Sequence, residues 1–302
     1  MRALVTGGAG FIGSNLVDAL LDAGHEVTVV DDLTTGKEAN LAAALERGAE
    51  LHRADISEPR EMIDIFAAAR PETVFHLAAQ IDVRKSVADP VLDARINVGG
   101  TASVLEAARQ AGARRVLFSS TGGAMYGDAE VIPTPEDGTI APMAHYGTSK
   151  LAGESYLGLY HRLYGLSTIA LRLGNVYGPR QDPKGEAGVI AIFCGRARDG
   201  GLATVFGDGR QTRDYVYVGD VVRAFMLAAE REATGPHNIG TGRESSVLDL
   251  AEALGLEPDF QPARIGEVQR SCLDVSRAAQ VLGFRAETGI DEGLRLTLAS
   301  GS

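Results

Sequence analysis

Lysine is scarce in this 302-residue chain: of 29 basic residues only four are Lys, at positions 37, 85, 150 and 184. Acidic residues number 40, so the net charge is −11. The basic field of a nucleic-acid-binding domain is missing, and no basic amphipathic segment points to a membrane surface. There are only two cysteines, Cys194 and Cys272. They form neither a disulfide framework nor a metal cluster, so no metal is expected and a reduced, cytoplasmic setting is the default. No apolar run reaches the ~20 residues of a membrane span. The opening residues MRALVTGGAG read as a strand and a glycine turn rather than a leader. Proline is sparse, with 11 residues. Glycine is in excess at 37, about 12 % against a usual ~7 %. Without a strict glycine period, and with 45 % apolar residues, the chain is neither collagen-like nor disordered. The excess glycine must serve turns, close packing or ligand loops.

Short apolar runs alternate with helical patterns. Strands are expected at Arg2–Val5, Glu26–Val30, Glu50–Arg53, Thr73–His76, Arg115–Ser119 and Ser167–Arg172. Helices are expected at Phe11–Ala23, Lys37–Arg47, Arg60–Ala69, Asp89–Ala111 and Tyr146–Tyr164. This rhythm predicts an α/β fold, a doubly wound parallel sheet of the Rossmann type, with ligands at the strand C-termini. After about Val176 the rhythm degrades. Residues 1–175 read as the nucleotide-binding domain. Residues 176–302 read as a smaller, irregular α/β lobe, with some segments returning to the first.

The segment from Thr6 to Gly13, TGGAGFIG, joins the first strand to the first helix. Gly7, Gly10 and Gly13, or Gly8, Gly10 and Gly13, satisfy the spacing that lets backbone approach a pyrophosphate at a helix N-terminus. A tight βα turn without ligand is the plainer reading. The second strand ends at Asp31, 18 residues beyond Gly13, where an acid can bind a ribose 2′-hydroxyl. Asp31 and Asp32 would repel a 2′-phosphate, so NAD is favoured over NADP, with Arg53 the one cation that could lie nearby. Asp55-Ile56 falls where a loop could cover adenine, or Asp55 is a turn acid.

Tyr146 and Lys150 are spaced i, i+4 at the start of a helix, which puts both on one face. Of the eight tyrosines only Tyr146 has lysine four residues on. Random placement yields such a pair in roughly one chain in ten, so the context carries the weight. An ammonium and a cationic nicotinamide would lower the phenol pKa, ~10 when unperturbed, and make Tyr146 a base. A surface Tyr–Lys contact is the alternative.

Taken in order, TGGAGFIGSNL, DDLTTGK (from Asp31), FHLAAQ (Phe75), NVGGT (Asn97), FSSTGGAMYG (Phe118), YGTSK, RLGNVYGPRQ (Arg172), FGDGRQTRDYVYVGDV (Phe206) and ARIGEVQRS (Ala263) carry a resemblance. The chain resembles the extended short-chain dehydrogenases/reductases, and within them the UDP-glucose (UDP-galactose) 4-epimerases, over almost its whole length. The resemblance implies Tyr146 as base, Lys150 as its partner and Thr121 as the hydroxyl at the sugar O4. It places Gly7, Gly10, Phe11, Ile12, Gly13, Asp31, Asp32, Thr35, Gly36, Asp55, Ile56, Leu77, Ala78, Ala79, Gln80, Asn97 and Ser119 around NAD. Gln80 and Asn175 would meet the nucleotide sugar. Arg213 and Arg264 would hold its phosphates, a task suited to guanidinium forks. Val189, Thr204, Phe206 and Glu267 would surround the uridine. Plain core packing is the alternative for the apolar members. Ser271 would form a wall beside the sugar, small enough to admit N-acetyl groups.

The implied reaction is C4 inversion through a transient 4-keto sugar. Family dehydratases carry an acid pair directly after the Thr121 position, and decarboxylases a nearby Glu; here Gly122-Gly123 follows. A UDP-glucuronate 4-epimerase would carry Arg where Asp182 stands. A dTDP-sugar 4-epimerase and a non-catalytic NAD-binding scaffold are further alternatives. The helices at 89–111 and 146–164 resemble the pair that forms a homodimer interface in the family.

Overall fold

The protein was described from a computed structural model covering residues 1–183, 188–264 and 268–301. Its elements run β1 (Arg2–Thr6), α1 (Phe11–Asp22), β2 (Glu26–Val30), α2 (Ala42–Glu46), β3 (Glu50–His52), α3 (Pro59–Ala69) and β4 (Thr73–His76). Next come α4 (Val83–Ala88), α5 (Pro90–Ala94), α6 (Gly100–Gln110), β5 (Arg115–Thr121), α7 (His145–Tyr164), β6 (Ser167–Leu173), β7 (Asn175–Tyr177) and α8 (Val189–Asp199). The rest are β8 (Ala203–Phe206), β9 (Thr212–Arg213), β10 (Tyr215–Tyr217), α9 (Val218–Glu230), β11 (Gly235–Ile239), β12 (Ser245–Ser246), α10 (Val247–Ala253), β13 (Pro258–Gln261), β14 (Arg270–Ser271), α11 (Ser276–Val281) and α12 (Ile290–Ala299).

Seven strands form one parallel sheet in the order β11-β6-β5-β4-β1-β2-β3. The strands are near-continuous apolar runs because helices cover both faces. Alternation along each strand divides the core. Val5, Val29, Phe75, Leu117 and Leu171 meet Leu16, Val17 and Leu20 of α1 and Phe225 of α9 on one face. Leu4, Val30, Val74, Val116 and Phe118 meet Met62 and Phe66 of α3, Leu105 of α6 and Leu157 of α7 on the other. A third apolar cluster, with Phe193, Cys194, Val205, Leu250 and Leu294, holds the C-terminal elements together.

Two expectations need correction. The helix expected over 89–111 is interrupted: Pro90 starts α5, Arg95–Gly99 form a π-turn, and α6 begins at Gly100. The helix expected over 37–47 is a 3₁₀ turn at Glu38–Leu41 followed by α2. Segments after Val176 do return to the sheet: β11 adds a seventh strand beside β6, and α9 packs against it.

Candidate active site

The strand C-termini open into a cleft of ≈ 880 Å³. Its floor is the glycine turn after β1. Gly7 has φ +72°, and a Cβ there would lie 2.6 Å from the Ala78 nitrogen; a Cβ on Gly13 would collide with the Gly7 carbonyl. The turn therefore packs flush beneath α1 and against the loop after β4, leaving the α1 N-terminus at the cleft. Gly10 is the N-cap and offers no side chain, so the first N–H groups of α1 have no side-chain cap.

Gly7, Gly10, Phe11, Ile12, Gly13, Asp31, Asp32, Thr35, Gly36, Asp55, Ile56, Leu77, Ala78, Ala79, Gln80, Ser119, Thr121, Tyr146, Lys150 and Asn175 all line this cleft. Asp31 has an additional task. Its Oδ2 accepts from Ala9 N–H and its Oδ1 from Leu33 N–H, both at 2.9 Å, so it also orders the glycine turn and its own loop. Burial pushes its carboxyl up, against the pull of those two bonds. Arg53 is committed to Glu38. Asp55 accepts from Ser57 N–H at 2.8 Å and so is a turn acid as well as part of the wall.

Asn97 stands behind the wall. It is buried in the π-turn, accepting from Gln80 N–H at 2.8 Å and donating to the Gln80 carbonyl at 2.9 Å. It shapes the cofactor wall instead of lining it. Gln80 turns its side chain inward: its Oε1 accepts from Asp82 N–H, and its Nε2 donates to the Asp82 carbonyl and to Asp93. Both amide N–H groups are thus engaged within the protein, and the Oε1, which accepts one bond, is the part of the side chain left with acceptor capacity.

Thr121 is the last residue of β5, and its Oγ1 accepts from Ala124 N–H at 3.1 Å. Tyr146 opens α7, where its N–H donates to Ser86 Oγ at 3.2 Å. Lys150 is buried one turn on. Its ammonium donates to the Ser119 carbonyl at 2.8 Å, lies 4.6 Å from the Phe118 ring centre and 5.9 Å from that of Tyr146. Burial draws Lys150 down to about 8, opposed by Asp93 and Glu154. Burial, and then Asp93, push the Tyr146 phenol up to about 12. The protein's own groups therefore move Tyr146 opposite to the direction expected from its lysine and a nicotinamide ring together.

Val189, Thr204, Phe206, Arg213, Arg264 and Ser271 lie outside the described cleft wall. Val189 begins α8 between two residues of the wall, Gly188 and Ile190. Ser271 sits opposite Arg213 where β14 pairs with β9. The Arg264 guanidinium covers the Phe206 ring at 3.8 Å. Glu267 is outside the described residues. Two contributors escaped the sequence reading: Asp93, read as one turn of a long helix, and Arg180, which lines the cleft and pairs with Asp18 at 2.6 Å.

A parallel sheet with a glycine turn at a helix N-terminus, and a Tyr–Lys pair beside it, defines a dinucleotide-dependent enzyme of the short-chain dehydrogenase/reductase class. The family model described as the NAD dependent epimerase/dehydratase family matches residues 3–240. A UDP-glucose 4-epimerase of Mycolicibacterium smegmatis is 47 % identical, over 99 % of this chain and 97 % of its own. Two solved structures superpose over nearly their full lengths. The Thermotoga maritima UDP-glucose 4-epimerase with UDP-glucose has a TM-score of 0.95 and 46 % identity, over 100 % of this chain and 98 % of that one. The Thermus thermophilus UDP-glucose 4-epimerase complex with NAD has a TM-score of 0.91 and 44 % identity, over 99 % and 98 %. The chain belongs to the NAD dependent epimerase/dehydratase family.

Proposed function

We propose that this chain is an isomerase: an NAD-dependent 4-epimerase of nucleotide sugars, acting on UDP-glucose and UDP-galactose. The observation that carries this reading is the convergence of Thr121, Tyr146 and Lys150 on the cleft that the glycine turn opens. Its relatives are named for the same activity.

NAD suits the residues present. The uncapped α1 N-terminus would face its pyrophosphate, Asp31 and Asp32 its ribose, and Lys150 the nicotinamide side. When bound, NAD would supply an acceptor and donor for the C4 hydride and a cationic ring that would offset the upward pull of burial and Asp93 on the phenol. Tyr146 takes the 4-hydroxyl proton as a general base and returns it to O4 when hydride is delivered to the opposite face of C4. Thr121 holds O4. Lys150 donates to Ser119 and keeps positive charge beside the phenolate. Asn175, Arg213 and Arg264 hold the diphosphate while the 4-keto sugar turns, and Phe206, Thr204, Val189 and Glu267 hold the uridine.

Gly122 supports epimerisation over dehydration. A Cβ there would lie 2.6 Å from Leu273 Cδ2, so an acid side chain directly after Thr121 would have to displace the buried Leu273. Asp182, where a uronate enzyme would carry Arg, faces Lys37 at 2.8 Å. Ser271, as a small wall residue, would admit N-acetylhexosamines.

We further propose a cytoplasmic homodimer joined through α4, α5 and α7. Val87, Val91 and Leu163 there are 57 %, 78 % and 61 % exposed, apolar side chains that such an interface would cover. Both cysteines are buried and free.

The test is a panel of nucleotide sugars incubated without added cofactor, with C4 configuration followed by NMR. Inversion of UDP-glucose to the galactose epimer supports the reading. Tight NAD binding with no turnover of any sugar favours the scaffold alternative.

A further inference from the structure

Tyr146 and Lys150 are surrounded by few charges. Glu154, one turn beyond Lys150 on α7, is closed against Arg172 of β6 at 2.7 Å and accepts from Ser120 Oγ at 2.6 Å. His76 of β4 is neutral. The Thr101 hydroxyl gives its proton to the Asn97 carbonyl, so His76 Nε2 must donate to Thr101 and Nδ1 must accept from Thr6. Lys85 of α4 is exposed at the lip of the cleft. From α5 comes Asp93, which is fully buried and has no ion-pair partner among the described residues.

Every bond to Asp93 comes from a neutral donor, and the donors come from three places. Ser149 Oγ, on α7 next to Lys150, donates to Oδ2 at 2.6 Å. Gln80 Nε2, on the cofactor wall, donates to Oδ1 at 3.0 Å. Asn97 Nδ2, in the π-turn that shapes that wall, donates to Oδ1 at 3.0 Å. None of the three donors is a cation, and a buried carboxylate is costly unless an opposite charge lies near.

We infer that Asp93 is a positioning residue for the proposed reaction: through Ser149 on one side and Gln80 and Asn97 on the other it ties the catalytic helix to the cleft wall, and its charge acts on the Tyr146–Lys150 pair. The inference rests on reading Tyr146 and Lys150 as the catalytic pair. The direction of titration agrees, since Asp93 pulls Lys150 upward against burial and raises Tyr146 with it. One carboxylate thus raises base and partner together, so both limbs of a pH–rate profile depend on it.

The scarcity of lysine makes the test direct. With four lysines, ¹³Cε-lysine labelling yields four signals, and Lys150→Met identifies one of them. In Asp93→Asn the Lys150 midpoint moves down by about one pH unit or more, and both limbs of the C4-inversion profile move to lower pH. Ser149→Ala cuts the tether but keeps the charge. Its Lys150 midpoint stays in place, while kcat falls about tenfold or more with KM little changed. An unmoved midpoint in folded Asp93→Asn overturns the inference, and so does wild-type kcat in Ser149→Ala. Should Asp93→Asn fail to fold, Ser149→Ala decides alone. The lysine titration needs no turnover, so absence of epimerisation in the wild type would sink the functional reading by a separate route.

Discussion

The Lys150 ammonium donates a 2.8 Å hydrogen bond to the Ser119 carbonyl, at the point where β5 delivers Thr121 to the cleft. The bond fixes α7 against the catalytic end of the strand and puts a buried positive charge there. With its folded pKa near 8 against 10.5 in the unfolded chain, that charge costs about 3 kcal/mol at neutral pH.

Lys150→Met should separate stability from function. The variant keeps the apolar stem and removes the cost of burying the ammonium, but it also takes the nearby positive charge from the buried Asp93 carboxylate, so the two effects oppose and the Tm shifts by only a few degrees. Turnover falls on the order of 10²-fold or more. Scanning calorimetry beside a C4-inversion assay checks both halves, and a Tm change above about ten degrees in either direction, or wild-type turnover, refutes the argument. The sign with pH is defined. Between about 8 and 10.5 the unfolded chain holds a proton that the folded one lacks, so this group's cost fades and stability rises with pH through that window.

His76 governs the acid side. Burial, and then Lys150, draw it down to about 3 from 6.5. Its Nδ1 accepts from Thr6 and has no room for a second proton. As pH falls from 6.5 toward 3 the unfolded chain binds a proton the folded one refuses, a loss reaching about 5 kcal/mol. Thermal melts from pH 7 to 4 should show His76→Gln less stable at neutrality yet flatter with pH. A slope equal to wild type removes His76 from the account.

Gly122→Asp supplies the acid a dehydratase carries, but it should not supply the reaction. Leu273 fills the space, and overpacking costs about 1–3 kcal/mol. The variant loses stability and forms no 4-keto-6-deoxy product, and Leu273→Ala restores much of the lost Tm. Dehydration by the single variant would show that glycine does not select the reaction sterically.

Asp31, which orders the glycine turn, also sets cofactor choice in the proposed reading. Asp31→Asn removes the charge while one amide oxygen still accepts from Ala9 or Leu33, so NAD binding weakens by about tenfold and discrimination against NADP shrinks. Titration with both nucleotides reads this out. Unchanged discrimination would move the selectivity to Asp32.

Ser271 sets the width of the sugar pocket in this reading. Ser271→Tyr should retain turnover of UDP-glucose and lose that of UDP-N-acetylglucosamine. Equal loss of both, or of neither, removes Ser271 from the wall.

What could be read from the chain alone was what repeats locally. The glycine turn, the six strands from Arg2 to Leu173 and the Tyr146–Lys150 face all depend on spacings within a few residues. What escaped depends on contacts between distant segments. Asp93, Asn97 and Gln80 look like ordinary polar residues of a helix and a loop until the π-turn at Arg95–Gly99 points them at one another. β11 reads as part of an irregular lobe because its place beside β6 is set by α9, not by its own sequence. The upward push of burial and Asp93 on the Tyr146 phenol carries no local signature, whereas the lysine four residues on does.

The central claim is that hydride leaves C4 and returns to the same carbon without exchange. The direct measurement is UDP-galactose deuterated at C4, incubated in ordinary water with the protein and no added cofactor, and followed by NMR. The account predicts UDP-glucose with deuterium retained at C4, and no inversion in Tyr146→Phe. Inversion with hydrogen from water at C4, or full activity in Tyr146→Phe, would contradict it.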